Sequence, residues 1–201
     1  MSVKGDEGHA RPARRSQGER RAATRAALLA AGRELFAAKG FAGAGREEIV
    51  ERAGVTRGAM YHHFASKEEL FQAVYEEVEA EVMARVVEAA APARDEKEML
   101  RLGSHAYLEV AARAEFRRIC LLDAPSVLAP ELRRELAEAH GLGVIRETLR
   151  ECMEAGLIRE HPVDVLAHVY LAALLECATL VAEGEDRATV TGVLDELLDS
   201  L

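Results

Sequence analysis

The chain has 201 residues and a mass of 21.9 kDa, and 26 Lys and Arg against 35 Asp and Glu give a formal net charge of −9 at pH 7. Residues 1–67 carry 13 basic and 7 acidic side chains, a net +6, whereas residues 68–201 carry 13 and 28, a net −15. A hydrophobic content of 49% excludes a disordered chain, and the charge split means that one basic segment can hold a polyanion locally.

The composition favours a helical fold. Aromatic residues make up 4% of the chain, Trp is absent, Ala and Leu are abundant, and runs of β-branched residues are missing. We therefore predict an all-α protein without a sheet. Cys120, Cys152 and Cys177 are an odd number without a C-x-x-C pair or a His/Cys cluster at zinc spacing, which predicts free thiols and neither a metal site nor a cofactor.

The N-terminus and the most apolar stretch of the chain bear on the cellular location of the protein. The N-terminus is charged and has no apolar signal core, and the stretch 165–182 is interrupted by His168 and Glu176. We therefore predict a cytoplasmic protein that does not interact with a membrane.

Residues 1–20 contain Gly, Pro, Ser and Arg without apolar periodicity and are predicted to be a flexible basic tail. This tail is equally compatible with a solubilising end and with an arm that contacts DNA. A first helix is predicted from Arg21 to Ala38 and ends at Lys39-Gly40.

Two short helices come next, over 46–53 and 57–63, separated by Gly54-Val55. Thr56 is the predicted N-cap of the second one, and Ser66 with Glu69 forms a capping-box pattern at the start of a helix that reaches about Ala91. Later helices are predicted near 95–113, 115–122, 126–154 with possible breaks around Pro130 and Gly141, 162–183 and 186–200.

Two short helices joined by a Gly-containing turn and braced by a longer helix are the pattern of a helix-turn-helix unit. The major groove of DNA admits one α-helix, whose first residues then meet the base edges. We expect Val55, Met60 and Phe64 to pack inward. We predict that six positions on the third helix or next to it face DNA. They are Thr56, Arg57, Gly58, Tyr61, His62 and Lys67.

The run AGVTRGAMYHHFASKEELF, Ala53–Phe71, resembles the helix-turn-helix signature of the tetracycline-repressor-like (TetR) family, over roughly residues 21–75. The resemblance implies all-α homodimers with an N-terminal three-helix DNA-binding domain and a C-terminal helical domain for ligand binding and dimerisation. It implies double-stranded palindromic operator DNA and a small-molecule effector as partners. We place the DNA-binding domain at 21–66 and the regulatory and dimerisation domain at 67–201.

One position departs from the family pattern. Where the family usually has a hydroxyl residue entering the second helix, this chain has Ala44-Gly45-Arg46. The loss of a side-chain cap costs about 1 kcal/mol. Arg46 either supplies a substitute phosphate contact, which we favour, or lies in solvent.

The segments 116–135 and 162–201 resemble, more loosely, the regulatory domain of one TetR subgroup. The helix over 163–184 is apolar nearly all round, which predicts burial on several sides and a four-helix dimer interface with the last helix; a purely intramolecular core is the alternative. The predicted interface residues are Val169, Ala172, Ala173, Glu176, Leu180, Val193, Leu194 and Leu197. The predicted effector-pocket residues are Tyr107, Cys120, His140, His168 and Tyr170, with His105 and Asp123 as further candidates.

The resemblance favours a repressor that an effector releases from its operator. An activator, or a regulator controlled by a protein partner, is the alternative. An enzyme or carrier is the third hypothesis, but the chain contains no G-x-S-x-G, H-E-x-x-H or P-loop motif.

Overall fold

The computed structural model describes residues 16–201, and within that range the chain is helical without a strand. The prediction of an all-α fold is therefore confirmed. The elements in chain order are α1 (Gln17–Gly43), α2 (Arg46–Arg52), α3 (Arg57–His63), α4 (Lys67–Ala90), α5 (Glu96–Ala111), α6 (Ala114–Phe116), a first π-helical segment (Arg117–Asp123), α7 (Ala124–Val127), α8 (Pro130–Ala137), a second π-helical segment (Glu138–Leu142), α9 (Gly143–Glu154), α10 (Val163–Glu183) and α11 (Arg187–Asp199).

Helix α1 begins earlier than its apolar periodicity indicates. The Ser16 hydroxyl accepts a hydrogen bond from the Glu19 amide at 3.1 Å, and the Glu19 carboxylate accepts one from the Ser16 amide at 2.6 Å. This capping box fixes the helix start at Gln17, so the predicted start at Arg21 and a tail reaching residue 20 are wrong. The rest of the predicted tail, residues 1–15, lies outside the described residues.

The end of α1 contains a kink at Gly40, where φ is 71°. A left-handed backbone angle interrupts an α-helix and is accessible chiefly to Gly. The predicted stop at this position is therefore a change of direction, after which a last turn continues to Gly43.

The helix-turn-helix forms as predicted, since α2 and α3 lie within one residue of their predicted bounds. Met60 and Phe64 are buried and Val55 packs against the same core. At the start of α4 the Ser66 hydroxyl caps the Glu69 amide at 3.1 Å, but the Glu69 carboxylate accepts from Ala65 rather than from Ser66. Only the first half of the predicted capping box is therefore present.

An aromatic cluster joins α1 to α4. The ring centroids of Phe36 and Phe71 are 5.2 Å apart and those of Phe41 and Phe71 are 5.3 Å apart, both with edge-to-face geometry. Such pairs add about 0.5–1.5 kcal/mol to the burial of their apolar area. Helix α4 and the three-helix unit therefore share one packed core.

The C-terminal part is a bundle in which α4 packs on α5, and α5 packs on α9, α10 and α11. The break predicted at Pro130 is confirmed, because Pro130 is the first residue of α8. The break suggested at Gly141 is wrong, since the chain stays helical there through a π-helical turn. π-Helical turns accommodate an extra residue without ending the helix.

Helix α10 is long and apolar enough to cross a membrane, and about a third of its most apolar window is buried. The core helix of a soluble bundle meets the same criteria, so this property is weak evidence for a membrane. Its packing against α5, α9 and α11 accounts for the buried part of its apolar surface.

Candidate DNA-binding surface and effector cavity

The outer face of α3 carries most of the predicted DNA contacts. Thr56 is the N-cap and accepts a hydrogen bond from the Ala59 amide at 3.2 Å, which fixes the start of the helix. Arg57, Tyr61 and His62 are exposed, with 40% of Tyr61 accessible. The side chains that face solvent are therefore those with hydrogen-bonding groups, and the apolar ones face the core.

Arg46 connects α2 to α3. Its guanidinium donates to the Tyr61 hydroxyl at 3.1 Å, while the Arg57 guanidinium lies 5.8 Å from the Tyr61 ring centroid and 3.6 Å from Glu47. A hydrogen bond with Arg57 lowers the pKa of Tyr61. The two cations therefore converge on one exposed phenol. Gly45, the N-cap of α2, provides no side-chain hydrogen bond, as the sequence predicts.

Gly58 is exposed in the first turn of α3. A Cβ atom added there would meet only the Thr56 hydroxyl, at 4.0 Å. Nothing within the described part of the chain therefore requires Gly at this position. A close approach of the backbone to another molecule is one physical reason for a residue without a side chain.

Lys67 has an internal role that the sequence did not indicate. Its ammonium donates to the carbonyl oxygens of Phe41 at 2.7 Å and Ala44 at 3.1 Å, and it lies 4.1 Å from the Phe41 ring centroid. Two of its three N–H bonds are thus used to hold the α1–α2 connection. The phosphate contact predicted for Lys67 would therefore use the third N–H bond of its ammonium group.

The N-terminal turns of α1 place further cations beside α3. The Arg25 guanidinium lies 5.3 Å from the Phe64 ring centroid, just beyond the end of α3. His62 is exposed, as expected of a position that faces DNA, whereas His63 is partly buried, and burial lowers the pKa of His63. The position of Arg25 beside α3 could not be read from the sequence, because its residue type and spacing are those of an ordinary solvated helix face.

A cavity of about 540 Å³ lies in the C-terminal bundle. Among the predicted pocket residues, Tyr107, Cys120, His140 and Tyr170 line it. The Tyr170 hydroxyl already has a partner, the buried Ser104 hydroxyl at 2.8 Å.

Three candidates do not line the cavity. His168 is exposed, with Nδ1 2.7 Å from the Asp164 carbonyl oxygen, so its assignment to the pocket is wrong. Residues two apart on a helix point in nearly opposite directions, which separates His168 from Tyr170. His105 Nε2 contacts Asp195 at 2.9 Å, and Asp123 contacts α1. Within residues 16–201 no group of three His, Cys, Asp or Glu is placed to hold a metal ion.

The acidic group of the cavity comes from α4. Tyr75 and Glu79, one helical turn apart, line the cavity beside Tyr107 and Cys120. Burial raises the pKa of Glu79 to about 7 and the pKa of the Cys120 thiol well above its usual range. Sequence reasoning missed Tyr75 and Glu79. With Met83 and Val86 they form a stripe at helical spacing on α4, beside the buried stripe that contains Val74 and Val78.

The first π-helical segment touches both the cavity and the three-helix unit. Cys120 lines the cavity, whereas the Asp123 carboxylate accepts hydrogen bonds from the Phe41 amide at 2.7 Å and from Arg118 at 3.3 Å. The Arg118 guanidinium lies against Gly40 at the kink of α1, where an added Cβ would overlap it. A change in the cavity wall can therefore reach α1 through one segment.

A second connection is ionic. Arg33 on α1 donates to Glu115 at 2.7 and 2.9 Å and to Glu81 on α4 at 2.5 and 2.7 Å. Hydrogen bonding to Arg33 lowers the pKa of Glu81. One guanidinium thus holds α1, α4 and α6 together at the border of the two parts of the chain.

The outer faces of α10 and α11 are apolar and exposed. Val169, Ala172 and Glu176 succeed each other at helical spacing on α10, and Val193 and Leu197 lie one turn apart on α11. The exposed fractions are 60% for Val169, 53% for Val193 and 52% for Leu197.

Three of the predicted interface residues are less accessible. Leu194 is 1% exposed and belongs to the core of its own chain, so its assignment to the interface is wrong. Ala173 and Leu180 are partly buried against that core. One side of α11 therefore packs inward while the neighbouring side stays open.

A helix-turn-helix that presents cations, combined with a larger helical bundle that contains a cavity, defines a DNA-binding regulator. Family models for the tetR family of bacterial regulatory proteins and for the tetracycline repressor-like C-terminal domain match residues 28–74 and 97–201. The chain belongs to the TetR family of transcriptional regulators and is not an enzyme.

Similar proteins cover nearly the whole chain. The HTH-type transcriptional repressor AcnR of Corynebacterium diphtheriae is 31% identical over 179 residues, which are 87% of this chain and 89% of AcnR. A TetR-family regulator from Pectobacterium atrosepticum has a TM-score of 0.73 and 32% identity, covering 92% of this chain and 95% of the other. FadR from Bacillus subtilis, solved in complex with stearoyl-CoA, has a TM-score of 0.74 and 22% identity, covering 87% and 97%, and supports the fold alone.

Proposed function

We propose that the protein is a cytoplasmic transcriptional repressor that binds a palindromic operator as a homodimer and is released by a small molecule. The observation that carries this proposal is the convergence of Arg46 and Arg57 on Tyr61 at the exposed face of the recognition helix. Similarity to the repressor AcnR along most of the chain supports repression over activation.

The two parts of the chain would have different roles. Residues 21–66 would hold the DNA, and residues 67–201 would sense the effector and form the dimer. The apolar faces of α10 and α11 support the dimer, since exposed apolar stripes at helical spacing mark interfaces between subunits. The paired α3 helices would then enter successive major grooves about 34–36 Å apart.

The test uses the full chain and the promoter region beside its gene. We expect salt-sensitive binding of this DNA in a gel-shift titration, together with lower transcription from that promoter in a reconstituted assay. Binding with increased transcription would replace repression by activation. Failure to distinguish the promoter fragment from an unrelated fragment of the same length would reject the proposal.

Replacing Arg57 by Ala should weaken operator binding by about 1–3 kcal/mol, because a base or phosphate contact is lost while an exposed side chain contributes little to folding. The measurement is operator affinity by fluorescence anisotropy at fixed salt. Arg187→Ala is the matched control, since Arg187 is also exposed and weakly paired, with Glu109 at 3.7 Å, but lies on α11. Equal effects of the two changes would contradict the role of Arg57.

Replacing Gly58 by Ala should separate folding from binding. The added methyl meets no close neighbour, so the free energy of unfolding should stay unchanged or rise by up to about 1 kcal/mol. Operator affinity should fall at least about tenfold if the backbone of α3 approaches a phosphate, since a methyl group there displaces the helix. Unchanged affinity in a fully folded variant would show that Gly58 does not face the DNA closely.

A further inference from the structure

The cavity is elongated along α4. Its lining on this helix begins at Tyr75 and ends at Ala90. A helix rises 1.5 Å per residue, so these 15 steps correspond to about 22 Å. The wall between them is largely apolar, with Met83, Val86 and Leu174 among its residues. A ligand that fills this space needs an extended apolar body.

Polar groups cluster toward the end of the cavity that is nearer the N-terminus of α4. Glu79 lies there among Tyr75, Tyr107 and Cys120, and Tyr107 packs edge-to-face on Phe116 with ring centroids 5.6 Å apart. The carboxyl therefore sits beside aromatic rings, which attract cations through their π-electrons.

Glu79 has no cationic partner within the described chain. Across residues 16–201 no Lys, Arg or His nitrogen lies within 4.0 Å of its carboxylate. A largely buried carboxylate without a cationic partner is costly even where Cys120 and Tyr75 donate hydrogen bonds to it, and an incoming cation would relieve that cost. An incoming anion would increase it.

Among the described residues, Arg133 is the one guanidinium in the cavity wall, and its Nε is buried without a hydrogen-bond partner. Its terminal nitrogens are not among the buried unpartnered atoms of residues 16–201. Arg133 therefore offers a second, cationic group to a ligand, and we take Glu79 as the main electrostatic partner because burial is the largest influence on its carboxyl.

We infer that the cavity binds an elongated apolar molecule with a protonated amine or quaternary ammonium head, which forms an ion pair with Glu79 at the Tyr75–Tyr107 end. This inference rests on the proposed function, since it names the chemical class of the effector. Glu79, which has no cationic partner within the described chain, would be the residue that recognises the head group.

The first experiment compares decylamine, decanol and decanoate, which share one alkyl chain and differ in the charge of the head. Calorimetry on the full chain at pH 7.5 should show decylamine binding at least about tenfold more tightly than the other two, because only the amine pairs with the carboxylate. Tighter binding of decanoate would overturn the inference. Absence of binding by all three would overturn it as well.

Two variants localise the effect. Glu79→Gln keeps the shape of the side chain and should abolish the preference for decylamine over decanol, while Arg133→Gln should preserve it. A preference that survives Glu79→Gln would overturn the inference. Circular dichroism and operator binding without amphiphile verify that both variants are folded.

The pH dependence provides an independent readout. Burial raises the pKa of Glu79 to about 7, so the carboxyl loses its proton, and becomes able to pair with a cation, as the pH rises from 6 to 8. The affinity for decyltrimethylammonium, whose charge is fixed, should increase roughly tenfold over that interval. Tyr75, Tyr107 and Cys120 have raised pKa values and stay neutral over this interval.

His140 is a further titratable group of the lining, so the pH series is repeated with His140→Gln. The pH effect should persist in that variant and disappear in Glu79→Gln. Persistence in Glu79→Gln would overturn the inference. Operator binding without ligand tests the proposed function separately, because a protein that binds its operator but none of the amines keeps its place as a DNA-binding regulator.

Discussion

The replacement of Gly40 by Ala should lower the free energy of unfolding by about 2–3 kcal/mol and weaken the response of DNA binding to the effector. Gly40 has φ 71°, and an added Cβ would overlap the Arg118 guanidinium. Displacement of Arg118 removes a partner of Asp123, whose carboxylate also holds the Phe41 amide. Urea unfolding monitored by circular dichroism measures the loss.

Gly156→Ala is the control for a positive φ without a close neighbour. Gly156 has φ 70°, and an added Cβ would have no neighbour within 4 Å, so its replacement should cost only about 1–2 kcal/mol. Gly40 also has ψ 170°, in a region that essentially only Gly adopts, so the contact with Arg118 is isolated by a second background. Gly40→Ala should cost less in an Arg118→Ala protein than in the native chain, and an equal cost in the two backgrounds would show that this contact contributes nothing.

The replacement of Val169 by Asp should separate the proposed dimer into monomers at micromolar concentration. Two-fold symmetry introduces the charge twice, and each uncompensated buried charge costs about 3–5 kcal/mol. Val169 is 60% exposed in the single chain, so folding of the protomer should be little affected. Sedimentation analysis measures the mass, and operator affinity should fall at least about a hundredfold because two linked half-sites become independent.

Leu122→Asp is the control for surface charge. Leu122 is 50% exposed on the first π-helical segment, outside the stripe on α10 and α11. This variant should remain dimeric and bind the operator normally. A Val169→Asp protein that sediments as a dimer would place the interface elsewhere on the molecule.

The helix-turn-helix could be predicted from the sequence because its signals are local. A Thr56 cap, the turn at Gly54-Val55 and inward-facing Met60 each act within a few residues of where they occur. The missed start of α1 has an equally local signal, the Ser16–Glu19 capping box, which lies ahead of the apolar periodicity that indicates the helix.

The cavity could be predicted only in part, because its wall combines side chains from distant segments. Tyr107 and Tyr170 were found among polar residues of apolar helices, but the same criterion selected His168, which faces solvent. Glu79 was passed over because a Glu within a charged helix is normally solvated. Which side of a helix faces a cavity depends on its neighbours, and no local pattern encodes them.

The dimer interface could also be predicted only in part, because the sequence does not show which side of a helix meets which neighbour. A helix that is apolar nearly all round does not reveal which side meets its own chain and which meets a partner. Leu194 and Val193 are adjacent in sequence, yet one is 1% exposed and the other 53%. The π-helical segments are also invisible to a search for 3.6-residue periodicity, since each adds a residue that shifts the register of the helix beyond it.

The ion pairs of Arg33 with Glu81 and Glu115 make the contact between α1 and the bundle sensitive to ionic strength. Dissolved ions weaken partly exposed ion pairs, and they also compete with protein cations for the phosphates of DNA. We therefore expect a rise in intracellular salt to loosen the union of α1 with the bundle while it weakens operator binding. The dependence of repression on osmotic conditions would then exceed that given by the number of phosphate contacts alone.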